Sequence, residues 1–141
     1  MTEALYAKMA AMSFTTRPLI DSDAEASRQL GWEAFGVPST RPTETATITS
    51  LGQHSYGTFD GDTLAARMVD RQWDSYFGGG LVATSGIAGV TVAAEYRGRG
   101  LLTPLFEETL SQAKQRGAPG HHLRSAEADP SPRELRLAVR A

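Results

Sequence analysis

Val90-Thr91-Val92-Ala93-Ala94-Glu95-Tyr96-Arg97-Gly98-Arg99-Gly100-Leu101-Leu102 joins a β-branched strand to a glycine-rich turn, and a helical pattern from Leu101 to Arg116 follows at once. Such an arrangement aims several backbone N–H groups and the positive end of a helix dipole at one point, which suits a phosphate. Arg97 and Arg99 add charge at that point. The spacing excludes two common phosphate loops. No Gly-Lys-Ser/Thr ending is present, and Gly98 and Gly100 are followed by Leu101, Leu102 and Thr103 with no third glycine.

Working outward, the segment before this turn reads as a sheet. Leu81 to Ala93 is dense in Val, Ile, Ala and Thr, and the small residues Gly86, Ala88 and Gly89 predict a bulge or splay close to a ligand. Gly78-Gly79-Gly80 separates it from a strand beginning at Thr63 and continuing through Phe77. Asp60-Gly61 is a hairpin signal between that strand and Gln53 to Phe59. Further upstream, Ser13 to Leu19 alternates as a short first strand. A helix follows to about Phe35, where Gly36-Val37-Pro38 stops it, and Ser22 with Glu25 has capping-box spacing at its start. From Ser39 to Thr49 the pattern fits either a helix opened by Pro42 or a mobile substrate loop.

After the turn, Leu101, Leu105 and Ala113, with Leu102, Phe106 and Leu110, recur at helical spacing, and Glu107, Glu108, Gln112 and Gln115 lie opposite. That stripe is core packing. Pro104 falls in the first turn, where proline is tolerated, and Gly117 ends the helix. Residues 118–141 read as an irregular tail with Pro119, Pro130 and Pro132 and no aromatic residue. Its one candidate strand, His121-His122-Leu123-Arg124, is short and polar, and Pro132 to Arg140 is its one candidate helix. No second strand able to complete the sheet is legible there. Residues 1–12 read as an N-terminal extension.

Composition bounds the function. A chain of 141 residues buries a single core. With a net charge of −2, no bulk attraction to nucleic acid or a membrane surface is expected. Charge is divided unevenly, with 6 Lys/Arg against 11 Asp/Glu in residues 1–96 and 8 against 5 in residues 97–141. The basic second half agrees with an anionic ligand near Arg97. The absence of cysteine excludes disulfides, thiolate metal sites and a cysteine nucleophile, and makes a cytoplasmic location the default. The adjacent His121 and His122 lack a companion acid pattern, so no metal site is expected.

Arg97-Gly98-Arg99-Gly100-Leu101-Leu102 after a valine-rich strand resembles the coenzyme A pyrophosphate loop of GNAT-type N-acetyltransferases. With Phe77-Gly78-Gly79-Gly80 and Gly86-Ile87-Ala88-Gly89-Val90-Thr91-Val92, residues 13–116 are similar to the N-terminal acetyltransferase region of the Eis-like family. Ala94 stands where that family usually has proline. Leu102 stands where generic acetyltransferases have Gly or Ala, a feature common among Eis-like members. The resemblance implies the GNAT fold, an α/β architecture with a mixed, mainly antiparallel sheet and flanking helices, its C-terminal half incomplete here.

It also implies transfer of acetyl from acetyl-CoA to a primary amine of a small molecule or a lysine. Main-chain groups at Val90 and Val92 would hold the pantetheine and polarise the acetyl carbonyl. The pyrophosphate would sit on Arg97, Gly98, Arg99, Gly100, Leu101 and Leu102. Asp70, Trp73, Asp74 and Tyr76 lie on the strand expected to line an acceptor pocket, where acids attract a cationic amine; a solvated strand face explains the acids equally well. The family's Gly-Ile-Tyr and Phe-Gly-Tyr, the first tyrosine being its presumed general acid, do not occur after Gly117. Tyr96 and Tyr76 are the remaining candidates for the acid, and no catalytic residue is assigned. The resemblance therefore admits three readings: an acetyltransferase represented by an incomplete, truncated or frame-shifted chain, a non-catalytic remnant with at most weak acyl-CoA binding, and a small complete acetyltransferase with an atypical tail. It leaves the oligomer undetermined.

Overall fold

The structure, a computed structural model, describes residues 14–117, the isolated Glu3 and the backbone of residues 120–123. The expected extension at residues 1–12, Glu3 apart, and the expected helix at Pro132 to Arg140 lie outside the described residues. Four antiparallel strands follow one another across the sheet: β1 (Phe14–Pro18), β2 (Gln53–Asp60), β3 (Thr63–Phe77) and β4 (Gly80–Val92). Helix α1 (Ala24–Phe35) lies between β1 and β2 in the chain, and helix α2 (Leu102–Gln115) follows β4. The hairpin of β3 and β4 turns at Gly78-Gly79, with Phe77 paired to Gly80.

The tail reading needs one correction. Gly120–Leu123 forms a fifth strand, β5, running parallel to β4 with Thr84 opposite Gly120 and Ile87 opposite Leu123. Side-chain pattern does not reveal a strand of four residues. Main-chain pairing to an open edge of β4 suffices to make it, because each N–H and C=O there needs a partner. Pairing with β5 ends at Ile87, so Ala88 to Val92 has β3 as its sole strand neighbour among the described residues.

The helix start differs as well. A 3-10 turn at Asp21–Asp23 precedes α1, and Ser22 and Glu25 form no capping box. Instead the Asp23 carboxylate accepts the Ile20 N–H at 2.9 Å and takes two bonds from Arg17, at 2.7 and 3.0 Å. These bonds hold Asp23 below the usual carboxylate range, the Arg17 bond contributing most. Glu25 pairs with Arg28 one turn on. Between α1 and β2, residues 36–49 form neither helix nor strand, which settles the ambiguous segment as a loop.

That loop is nevertheless fastened. Asp21 Oδ1 accepts the N–H groups of Ile48 at 2.9 Å and Thr49 at 3.2 Å, Arg28 donates to the Glu44 carbonyl at 3.2 Å, and Ile48 packs against the cluster of Leu19, Leu30, Phe59, Leu64 and Ala93.

Two bulges decide which side chains face which helix. Between β2 and β3, Thr58 pairs with Ala66 and Phe59 with Leu64, so Ala65 is an extra residue that reverses the alternation. Leu64 accordingly joins Leu30 of α1, whereas Ala66 and Met68 join Leu105 of α2. Between β3 and β4, Arg67 pairs with Thr91 and Val69 with Ala88, which places the extra residue of β4 at Gly89-Val90, and Gly89 has φ 58°. This is the bulge expected from Gly86, Ala88 and Gly89.

On the α2 side a buried ion pair ties the last turn of the helix to the sheet. Arg116 donates to the Asp70 carboxylate and to Tyr56 Oη at 2.9 Å, and Ser85 Oγ donates to Asp70. The Asp70 side chain is 1% exposed and that of Arg116 23%, so the two partners are not equivalent. Arg116→Met strands a buried carboxylate and is expected to cost about 3 kcal/mol in urea unfolding. Asp70→Asn leaves the cation some water and is expected to cost about 1 kcal/mol. Equal costs would contradict this account.

The Asp21 tether predicts a pH effect. Its carboxylate is held below the ordinary value by the Ile48 and Thr49 N–H bonds, the first contributing most. A depressed pKa gives stabilisation that is complete above the unfolded value of about 3.9 and lost as pH falls through the lower folded value. Amide-exchange protection of Ile48 and Thr49 is therefore expected to be constant near neutrality and to fall below about pH 4. Asp21→Ala is expected to abolish that protection at all pH values while leaving the β3 and β4 amides protected.

Candidate functional site

The chain leaves the end of β4 through a 3-10 turn, Ala94–Tyr96, and enters α2 through Arg97-Gly98-Arg99-Gly100. Gly98 and Gly100 have φ 76° and 73°, a backbone conformation that side-chain-bearing residues adopt at a cost of about 1 kcal/mol or more. Among the described residues no side chain caps α2, whose N-cap is Leu101, and its first turn carries no acid, so its leading N–H groups keep their donor capacity. Leu101, 4% exposed, and Leu105, fully buried, fasten that turn to the core cluster of Met68, Ile87 and Tyr56.

A cavity of about 420 Å³ lies over this junction. It is lined by Val90, Thr91 and Val92 of β4, by Tyr96 through Thr103, and by Ala34 and Phe35 at the end of α1. All eight residues named from the sequence for the cofactor, Val90, Val92, Arg97, Gly98, Arg99, Gly100, Leu101 and Leu102, are in its wall. Arg97 Nε approaches the Val92 carbonyl at 3.4 Å, and the Arg99 guanidinium stands 5.2 Å over the Tyr96 ring. Both arginines are exposed at the mouth. Tyr96 Oη donates to Asp60 Oδ2 at 2.9 Å, which raises the phenol above its ordinary value and commits its proton within the fold.

A second cavity, about 510 Å³, opens between α1, the loop from Pro42 to Ile48, and β2 and β3. Ser27, Gly31 and Trp32 of α1, Gln53 and Ser55 of β2, and Arg67 and Val69 of β3 are in its wall, and Phe35 lines both cavities. Sequence reasoning missed this space. The signal available was Arg67, a cation inside the apolar run Leu64-Ala65-Ala66 and Met68-Val69.

The four residues named for acceptor contact are distributed differently. Asp70 is 1% exposed and engaged by Arg116 and Ser85. Trp73, half-buried, lies against Gly86, whose Cα could not carry a Cβ without meeting the indole at 2.5 Å. Asp74 is exposed near the hairpin tip, and Tyr76, 75% exposed, donates to the Gly79 carbonyl at 3.3 Å. None of the four is in the wall of either cavity. Among the described residues no three His, Asp or Glu side chains gather as metal ligands, and no helix is long and apolar enough to cross a membrane.

Comparison with known proteins agrees with this architecture. The chain matches the model of the acetyltransferase (GNAT) domain over residues 15–129, which extends past Gly117 and includes β5. No curated protein matches it by sequence. Among solved structures it is similar to a Trypanosoma brucei acetyltransferase at 22% identity and TM-score 0.66, covering 81% of this chain and 84% of that one. It is also similar to a probable N-acyltransferase of Enterococcus faecalis V583 at 18% identity and TM-score 0.69, covering 81% and 29%. Eis1 of Mycobacterium abscessus gives 24% identity and TM-score 0.65, covering 82% and 28%. The chain thus spans most of the first of these and less than a third of the other two. At such identities the likeness is one of fold, and with the domain match it leads to one conclusion: the chain belongs to the GNAT acetyltransferase domain family.

Proposed function

We propose that this chain is the acetyl-CoA-binding unit of an N-acetyltransferase of Eis-like type, transferring acetyl to a primary amine of a small molecule or a lysine. The observation that carries the reading is the first cavity. A strand end, two positive-φ glycines, an uncapped helix N-terminus and two arginines surround one space, and a pyrophosphate needs such a set of donors. In this reading Arg97 and Arg99 hold the phosphates as charges, and Gly98, Gly100, Leu101 and Leu102 hold them through N–H groups. The backbone of Val90 and Val92, beyond the bulge at Gly89, orients the pantetheine arm along an edge of β4 that β5 leaves open. Support for the Eis-like assignment comes from Phe77-Gly78-Gly79-Gly80 at the hairpin tip and from Leu102.

When bound, acetyl-CoA supplies an activated acyl group whose C–S bond breaks as the C–N bond to the amine forms. The chain's own contribution is positional and electrostatic. Main-chain donors at Val90 and Val92 would face the carbonyl oxygen where negative charge develops, and α1 and Phe35 would keep water from it. The amine must give up a proton and the departing thiolate must gain one. Tyr96 is held by Asp60, so that proton comes from elsewhere than Tyr96. We place the acceptor in the second cavity, which adjoins the first at Phe35.

Calorimetry with acetyl-CoA tests the reading. Replacing Arg97 and Arg99 together by alanine is expected to weaken binding at least tenfold, about 1.4 kcal/mol, and to flatten its salt dependence. Acetyl-pantetheine, which lacks the pyrophosphate, is expected to bind both proteins alike. If the wild-type protein binds no acetyl-CoA, the transferase reading fails. Binding without thiol release across an amine panel would favour a non-catalytic acyl-CoA binder.

A further inference from the structure

The second cavity contains a cation that nothing else in the described chain neutralises. Arg67 alternates with Ala66 and Met68 and so faces α1, where its Nη1 donates to Ser27 Oγ at 2.9 Å. A Cβ on Gly31 would stand 2.6 Å from its Nη2, and one on Gly89 would stand 3.7 Å away. The guanidinium is therefore wedged between α1 and the bulge of β4, next in the chain to Val90. Its Nε is buried without a hydrogen-bond partner among the described residues. None of the ion pairs among the described residues involves it.

The other charged groups around this space do not change the balance. Arg28 is engaged by the Glu25 carboxylate and the Glu44 carbonyl, and Glu44 itself is exposed at the loop. Burial alone lowers the basicity of Arg67, with no carboxylate raising it again, yet an arginine stays charged in proteins. A half-buried cation without an ion-pair partner is costly, and an incoming carboxylate or phosphate would relieve that cost through the two-pronged bonding a guanidinium offers.

We propose that Arg67 is the docking point for an anionic group on the acceptor, so that the acceptor is an amine that also bears a carboxylate or a phosphate. The inference rests on the transferase reading for the word acceptor, and on the cavity alone for the anion. It reverses the expectation of a purely cationic amine drawn to acids on β3. With the anion on Arg67, the other end of such a molecule extends along the second cavity toward Phe35, where the two cavities adjoin. Ser27 positions the guanidinium and Gly31 leaves room for it.

Matched pairs of amines provide the test: phosphoethanolamine against ethanolamine, and phenylalanine against phenethylamine. Calorimetry on the free protein and thiol release with acetyl-CoA are measured for wild type, Arg67→Met and Arg67→Lys. In the wild type the anionic member of at least one pair is expected to bind, and to react by kcat/KM, about tenfold better. The pair that shows it distinguishes phosphate from carboxylate. Arg67→Met is expected to erase the preference while acetyl-CoA affinity stays within about twofold. Arg67→Lys, which keeps the charge without the fork, is expected to retain part of it and serves alone if the methionine variant does not fold by circular dichroism.

Equal binding within both pairs, preference for the uncharged-tail amines, or a preference that survives either substitution undiminished would overturn the inference. So would a loss of acetyl-CoA affinity matching the loss of anion binding, since Arg67 would then serve the donor. If the protein binds no acetyl-CoA yet shows an Arg67-dependent anion preference, the transferase reading fails and the anion site stands.

Discussion

Burial of Leu101 and Leu105 against the sheet is the constraint on which the site depends. Each contributes on the order of 1.5–3 kcal/mol by leaving water, and together they seat the first turn of α2 in the cluster formed by Met68, Ile87 and Tyr56. That seat lies at the end of β4. The connection from Val92 to Leu101 is therefore anchored at both ends, and its two positive-φ glycines lie in the wall of the first cavity. At the far end of the same helix, Arg116 closes on Asp70 and Tyr56. The helix is thus fastened to the sheet at both ends.

The second constraint is the pair of bulges. Without Ala65, strict alternation would put Leu64, Ala66, Met68 and Asp70 on one face and take Leu64 out of the cluster under α1. With it, Leu64 goes to α1, while Asp70 stays with Arg116 and Arg67 stays under Ser27 and Gly31. The bulge at Gly89-Val90 acts on the neighbouring strand at the same level. One stretch of sheet thereby lines two cavities that adjoin at Phe35.

Strands β2 to β4, both helices and the first cavity were legible in the sequence because each rests on a local signal. Asp60-Gly61 and Gly78-Gly79-Gly80 punctuate the strands, the leucine spacing marks α2, and Arg97-Gly98-Arg99-Gly100 marks the phosphate-type turn. What was not legible depends on pairing at a distance. β5 overlaps the tail's one candidate strand, His121 to Arg124, but its short polar sequence does not show that it joins the sheet, which depends on pairing with β4. Ahead of the helix, the 3-10 turn is closed by the Asp23 carboxylate on the Ile20 N–H, with Arg17 on β1 holding that carboxylate in place, and Ser22 and Glu25 take no part. Asp70 reads as a surface acid until Arg116, 46 residues away, is brought to it. Leu64 is assigned to the α1 face by the Ala65 bulge, and alternation alone would have sent it to the face of Ala66 and Met68.

The central claim is that the strand end and the turn at Arg97 to Leu102 form one coenzyme A site. The most direct measurement is amide chemical-shift mapping of isotope-labelled protein titrated with coenzyme A. Shifts concentrated at Val90, Thr91, Val92 and Gly98 through Thr103, with α1 responding at Ala34 and Phe35, are the predicted result. Shifts confined to other parts of the sheet, or none at millimolar ligand, would contradict it.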